Sequence, residues 1–90
     1  MEKINKILEY LDFEKIHEHM VKTNWTWGVN DNVHIPSITE LISLATLLIK
    51  RIIDNPDTIT YISQGGFSVV RDKYDHIFIF FSITESNDCE

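Results

Sequence analysis

Ninety residues hold one domain, residues 1–90, whose single modest core buries roughly 60–65 % of the surface that the unfolded chain exposes. A content of 43 % hydrophobic and 24 % charged residues, with three Gly and two Pro, excludes a disordered, collagen-like or disulfide-scaffold chain. Eight basic against 14 acidic residues give a net charge of −6, which argues against a direct nucleic-acid binder, and the lone Cys89 excludes an intrachain disulfide.

In chain order, Ile4, Ile7, Leu8 and Leu11 share one helical face. The next apolar group, Phe13, Ile16, His17 and Met20, points nearly the opposite way at about 100° per residue. Such a segment either breaks near Asp12 or is buried on two sides. Asp12 is a good N-cap and Glu14 follows in the first turn, so two helices are expected, over residues 2–11 and 13–23. Residues 24–36 form a connector in which Trp25 and Trp27 alternate and Gly28, Asn30, Asp31 and Asn32 favour turns. Ser37 and Glu40 have capping-box spacing, and a helix over 37–54 carries the stripe Ile38, Leu41, Ile42, Ala45, Leu48, Ile49 and Ile52. Asn55-Pro56-Asp57 ends it.

The last third is β. Strands are expected at 59–63, 67–71 and 77–83, with Gln64-Gly65-Gly66 and residues 72–75 turning between them and a frayed polar tail at 85–90. The fold class is therefore α+β, helices packed on a three-stranded antiparallel meander. No basic-then-apolar N-terminal signal pattern is present, and no long apolar run suggests a membrane span.

Two apolar features exceed the needs of a two-layer fold. The third strand is apolar on both faces: Ile77, Ile79, Phe81 and Ile83 on one, Phe78 and Phe80 on the other. Either the N-terminal helix or the Trp connector wraps its open side, or the sheet binds a partner or a second copy. Leu44 and Leu47 lie off the stripe of the long helix, under the first helix or at a subunit contact. Leu44, Leu47, Phe78 and Phe80 are thus candidates for an oligomer interface, most simply a dimer.

Chemistry is sparsely signalled. Glu14, His17 and Glu18 resemble half of a helix-borne di-metal site, but the long helix offers only Glu40 and Asp54 opposite them, and His19, His34 and His76 add no ligand pattern. Gly65-Gly66 lacks phosphate-loop spacing and suits a hairpin turn. Ser63, Ser68, Ser82 and Cys89 have no evident base partner. No enzymatic activity, metal or cofactor is expected. Trp25, Trp27, Arg71, Lys73 and Tyr74 could together stack a nucleotide and hold its phosphates. The alternative for the Trp pair is to close one end of the core. Glu9, Glu14, Glu18, Asp31, Asp72 and Asp75 offer an acidic face to a basic protein partner.

The string Tyr10-Leu-Asp-Phe-Glu-Lys-Ile-His-Glu-His-Met20, then Trp25-x-Trp27, Pro36 before a helix with Leu41, and Gly65-Gly66-Phe67, resembles small accessory proteins of tailed bacteriophages and prophages over roughly residues 8–83. That resemblance carries over no functional residue. It implies a viral protein acting inside a bacterial cell, where binding and blocking a host protein, antiviral defence above all, is the expected role. A nucleotide-sequestering oligomer and a virion assembly module are the alternatives.

Overall fold

A computed structural model describes residues 2–28 and 32–82. Asn30, Asp31, Ile83, Cys89 and the tail 85–90 lie outside the described residues. Three helices, α1 (Glu2–Leu8), α2 (Phe13–Thr23) and α3 (Ile38–Asp54), precede three strands, β1 (Tyr61–Gln64), β2 (Phe67–Arg71) and β3 (Ile77–Phe81). The strands form one antiparallel sheet in the order β1-β2-β3, and the helices cover one face of it, the α+β architecture expected from the pattern.

The opposed apolar faces of the first segment are resolved by a break. The amides of Tyr10 and Leu11 tighten onto the carbonyls of Ile7 and Leu8, both at 3.1 Å, so α1 ends at Leu8 rather than at residue 11. The Asp12 carboxylate then accepts the Lys15 amide at 3.2 Å and opens α2. Ile4 and Ile7 from α1, with Ile16 and Met20 from α2, all reach one core. Asn24, in the left-handed region at φ 58°, closes α2, and the Trp25 amide donates to the Met20 carbonyl at 2.9 Å. Ser37 and Glu40 form the expected capping box: Ser37 Oγ accepts the Glu40 amide at 3.1 Å, and the Ser37 amide donates to Glu40 Oε1 at 2.8 Å.

The α3 stripe is narrower than its sequence suggests. Leu41, Ala45, Leu48, Ile49 and Ile52 are fully buried, but Ile42 is exposed. Ile42 and Leu44 both lie about 80° off the centre of that stripe, on opposite flanks. Leu44 is half-buried because the β1–β2 turn rests on its side of the helix.

Strand β1 starts at Tyr61, two residues later than expected. The amides of Thr58 and Ile59 are taken by the Asn55 carbonyl in the turn that ends α3, so Ile59 is not available to pair. Gly65-Gly66 joins β1 to β2 with φ of 62° and 95°, the two successive positive values that a type I′ hairpin needs. Alternation then sorts the sheet. Phe67, Val69, Ile77 and Ile79 are buried beneath the helices, β2 against α3 and β3 against α1. Tyr61, Val70 and Phe78 face outward as one cross-strand row, and Ser63, Ser68 and Phe80 as another.

Candidate binding surface

The outer face of the sheet has no layer over it among the described residues. Phe78 and Phe80 are 41 % and 55 % exposed, beside Tyr61 at 59 % and Tyr10 at 74 %. From Tyr74 onward every second residue is aromatic: Tyr74, His76, Phe78 and Phe80. Their rings follow one another, Tyr74 to His76 at 6.2 Å and His76 to Phe78 at 6.4 Å, the latter edge-to-face at 85°. The period-two pattern that carries Phe78 and Phe80 extends to His76, which sequence reasoning treated only as a stray histidine. At the β1 side the face turns polar. The Ser68 and Ser63 hydroxyls beside the Tyr61 phenol hold it below the ordinary tyrosine range.

The N-terminal segment borders this surface without covering it. Tyr10 and Leu11 stand across from β3, with Phe78, Phe80, Phe81 and Ser82 on the other wall of an open groove of about 640 Å³. A second groove of about 430 Å³ continues toward the start of β3, between Lys3, Lys6 and Ile7 on α1 and Asp75, His76 and Ile77. The burial of β3 is therefore one-sided: its Ile77 and Ile79 are inside, and its two outer phenylalanines are not.

The structure does not assemble the nucleotide pocket expected from Trp25, Trp27, Arg71, Lys73 and Tyr74. Trp27 donates from Nε1 to the Gly65 carbonyl at 3.0 Å, and Trp25 packs on Phe81 with ring centroids 5.1 Å apart. Both therefore sit at the Gly65-Gly66 end of the sheet and close the core there. Arg71, Lys73 and Tyr74 sit at the other end of β2. Phe67 and Arg71 alone are four residue steps, about 13 Å, apart. Arg71 also turns its guanidinium inward, with Nε buried and without a partner among the described residues. Its side chain is 7 % exposed, donates from Nη2 to the Ile52 carbonyl in the last turn of α3, and pairs from Nη1 with Asp75 Oδ1 at 3.2 Å. A cation at the C-terminal turn of a helix meets its unpaired carbonyls and the negative end of its dipole, so Arg71 is a clamp between sheet and helix.

The acidic candidates do not form one face either. The Asp72 carboxylate accepts the Tyr74 and His76 amides, each at 2.9 Å, and shapes the β2–β3 turn. The His76 amide chiefly, with that of Tyr74 assisting, holds the Asp72 carboxyl below the ordinary aspartate range. Asp75 is paired with Arg71 and lines the same groove as Lys3 and Lys6. Glu18, on α2, shares its surroundings with Lys15, His19 and Lys22. Glu9, in the turn after α1, and Glu14, in the first turn of α2, are both exposed, and Asp31 is outside the described residues.

The four expected interface residues separate. Leu44 lies beneath the hairpin turn, where a Cβ added to Gly65 would come within 2.5 Å of its Cδ2, so Leu44 belongs to the packing of the monomer. Leu47 is 50 % exposed on α3, in the helical layer, whereas Phe78 and Phe80 project from the far side of the sheet.

Among the described residues no group of three or more His, Cys, Asp or Glu side chains converges as a metal site. Glu40 is committed to the α3 cap. The Ser37 amide, then His34 Nε2 at 3.0 Å from Oε2, hold its carboxyl below the ordinary glutamate range. Among those residues, too, no helix is long and apolar enough to cross a membrane. No family model, curated protein or solved structure matches the chain. The outer sheet face with its bordering groove is the feature from which function is argued.

Proposed function

We propose that the chain is a non-enzymatic protein-binding module that engages its partner through the outer face of the sheet. The observation that carries this reading is the aromatic row Tyr74, His76, Phe78 and Phe80, left exposed beside Tyr61 and Tyr10. A contiguous apolar patch on a small water-facing protein marks an interaction site more often than it marks spare surface, and aromatic rings give large contact area for few lost rotamers. The resemblance to phage accessory proteins favours a host protein as partner, with antiviral defence the leading class and the bacterial cytoplasm the setting. The net charge of −6 favours a partner with a basic rim, since opposite fields raise the rate of encounter.

The test is affinity capture from defended bacteria, paired with an infection assay in the same cells. The intact chain should co-purify with a specific host protein and raise infection efficiency. Phe80→Asp should abolish both while leaving the far-UV circular dichroism unchanged, because Phe80 is outside the core. Retention of the same partner by Phe80→Asp would remove the outer face from the interaction. The absence of any specific partner, together with no effect on infection, would remove the proposed function itself.

A further inference from the structure

The free edge of β3 presents a second and separate opportunity. The Asp72 amide donates to the His76 carbonyl at 3.0 Å, and the Ser82 amide donates to the Gly66 carbonyl at 2.9 Å. In an antiparallel pair, hydrogen-bonded and non-bonded positions alternate. With Phe67 opposite Phe81 and Arg71 opposite Ile77, the bonded positions of β3 toward β2 are Phe78 and Phe80. The N–H and C=O groups of Ile77, Ile79 and Phe81 therefore point away from β2. None of the six has a backbone partner among the described residues. Such a row is either hydrated or paired with another strand.

We propose that a second copy of this chain pairs along that edge, antiparallel, with the two-fold axis through Ile79. Ile77 then exchanges both bonds with the partner's Phe81, and Ile79 with the partner's Ile79. The six unpartnered groups form six hydrogen bonds, and the two meanders become one six-stranded sheet.

Two observations favour a second copy over an unrelated strand. The incoming strand has to be apolar on both sides, because its inner side meets the wall of Ile7 and Leu11 and its outer side meets Tyr10, Phe78 and Phe80. β3 is apolar at all its positions, Ile-Phe-Ile-Phe-Phe, whereas β1 and β2 are not. The unpaired groups are also symmetric about Ile79, so the edge is its own complement.

The contact is at the small end for a specific dimer. The exposed fractions of Tyr10, Phe78 and Phe80 amount to roughly 350 Å² per copy for rings of about 200 Å² each. That is an upper limit, since part of each ring still faces outward in the joined sheet, so the contact falls below the ~1,200 Å² of standard interfaces and belongs with weak, concentration-dependent pairing. In this register Phe78 faces the partner's Phe80 in a non-bonded pair, the closer of the two kinds. The two outer faces then meet in a platform of four phenylalanine rings. The pairing goes beyond the proposed function and does not depend on it.

Light scattering after size exclusion at about 100 μM, with Phe78→Glu and Phe80→Lys made separately, tests the pairing. The unmodified chain should show twice the 10.6 kDa of one copy. Each variant alone should show one copy, since two glutamates or two lysines then leave both cross-seam pairs mismatched. An equimolar mixture should return to twice the mass, because the introduced glutamate of one copy would meet the introduced lysine of the other while the second Phe78–Phe80 pair is kept. A single-copy mass for the unmodified chain overturns the proposal. So does a double mass that survives both variants, and so does a mixture that fails to recover. Should a variant not fold, hydrogen exchange on the unmodified chain decides. The amides of Ile77, Ile79 and Phe81 should exchange about 10-fold or more slowly at 100 μM than at 1 μM, and concentration-independent exchange overturns the pairing. Neither readout involves a host partner, so failure here and failure of the proposed function are told apart.

Discussion

Replacing Gly65 by alanine probes the joint between the two layers. Gly65 has φ of 62°, and placing an L-residue there costs about 1–2 kcal/mol. The new methyl would lie 2.5 Å from Leu44 Cδ2 and 3.2 Å from two atoms of the Trp27 indole ring, whose Nε1 is bonded to the carbonyl of this same residue. Overfilling a packed site costs a further ~1–3 kcal/mol. Gly65→Ala is therefore expected to lose about 2–5 kcal/mol, a sizeable part of the ~5–13 kcal/mol expected for a domain of this length. Leu44→Ala alone should cost about 1–2 kcal/mol, below the ~2–5 kcal/mol of a fully buried leucine because Leu44 is half-buried. The double variant should be more stable than the sum of the two, by about 1 kcal/mol or more, because removing Leu44 makes room for the methyl. Urea unfolding followed by tryptophan fluorescence measures all three. A loss below about 0.5 kcal/mol for Gly65→Ala, or additivity of the pair within that margin, would refute the packing argument.

Three further outcomes follow from the clamp and from the carboxylates. Arg71→Met keeps the buried stem but removes the guanidinium from the Ile52 carbonyl, and should cost about 1.5–3 kcal/mol by thermal or urea unfolding. Asp75→Asn should cost under about 0.5 kcal/mol, because Asp75 is exposed and asparagine tolerates its φ of 70°. Acid should destabilise the protein through Asp72 and Glu40, whose carboxyls are both held below their ordinary values. Their contribution is fully present above the unfolded-state values, near pH 4, and is lost as the pH falls through the lower folded-state values. Unfolding midpoints measured from pH 6 to pH 3 should therefore fall less steeply for the Asp72→Asn, Glu40→Gln double variant than for the unmodified chain. Parallel curves would show that these two groups do not carry the acid sensitivity.

The elements that could be read from the chain are those whose signal is local. The break at Asp12 follows from two apolar stripes that one straight helix cannot bury together. The α3 cap follows from Ser37 and Glu40, and the hairpin from two adjacent glycines. Positions decided by a distant neighbour could not be read. Ile42 and Leu44 are equally displaced on the helical wheel, and only the hairpin turn over Leu44 separates their fates. Ile59 has strand chemistry, but its amide is taken by the Asn55 carbonyl. Arg71 looked like a ligand cation because its partner is the Ile52 backbone carbonyl, and a main-chain acceptor leaves no mark in a sequence. Of the candidate surface, Phe78 and Phe80 were legible from alternation. Tyr10 was not, because its place beside β3 depends on where the turn after α1 leaves the chain.

The brevity of α1 has a consequence for how the molecule opens and closes. A helix of seven residues is well below the ~12–15 that hold together in isolation, so it persists through its docking. That docking is anchored by Ile4 and Ile7, and Ile7 shares a groove with Ile77, at the other end of the chain. Closing so long a loop carries an entropic cost that the neighbouring hairpins avoid, since their partners are only a few residues apart. The amides of α1 should therefore exchange faster than those of α3 and the sheet in native-state hydrogen exchange, and equal protection would refute this reading.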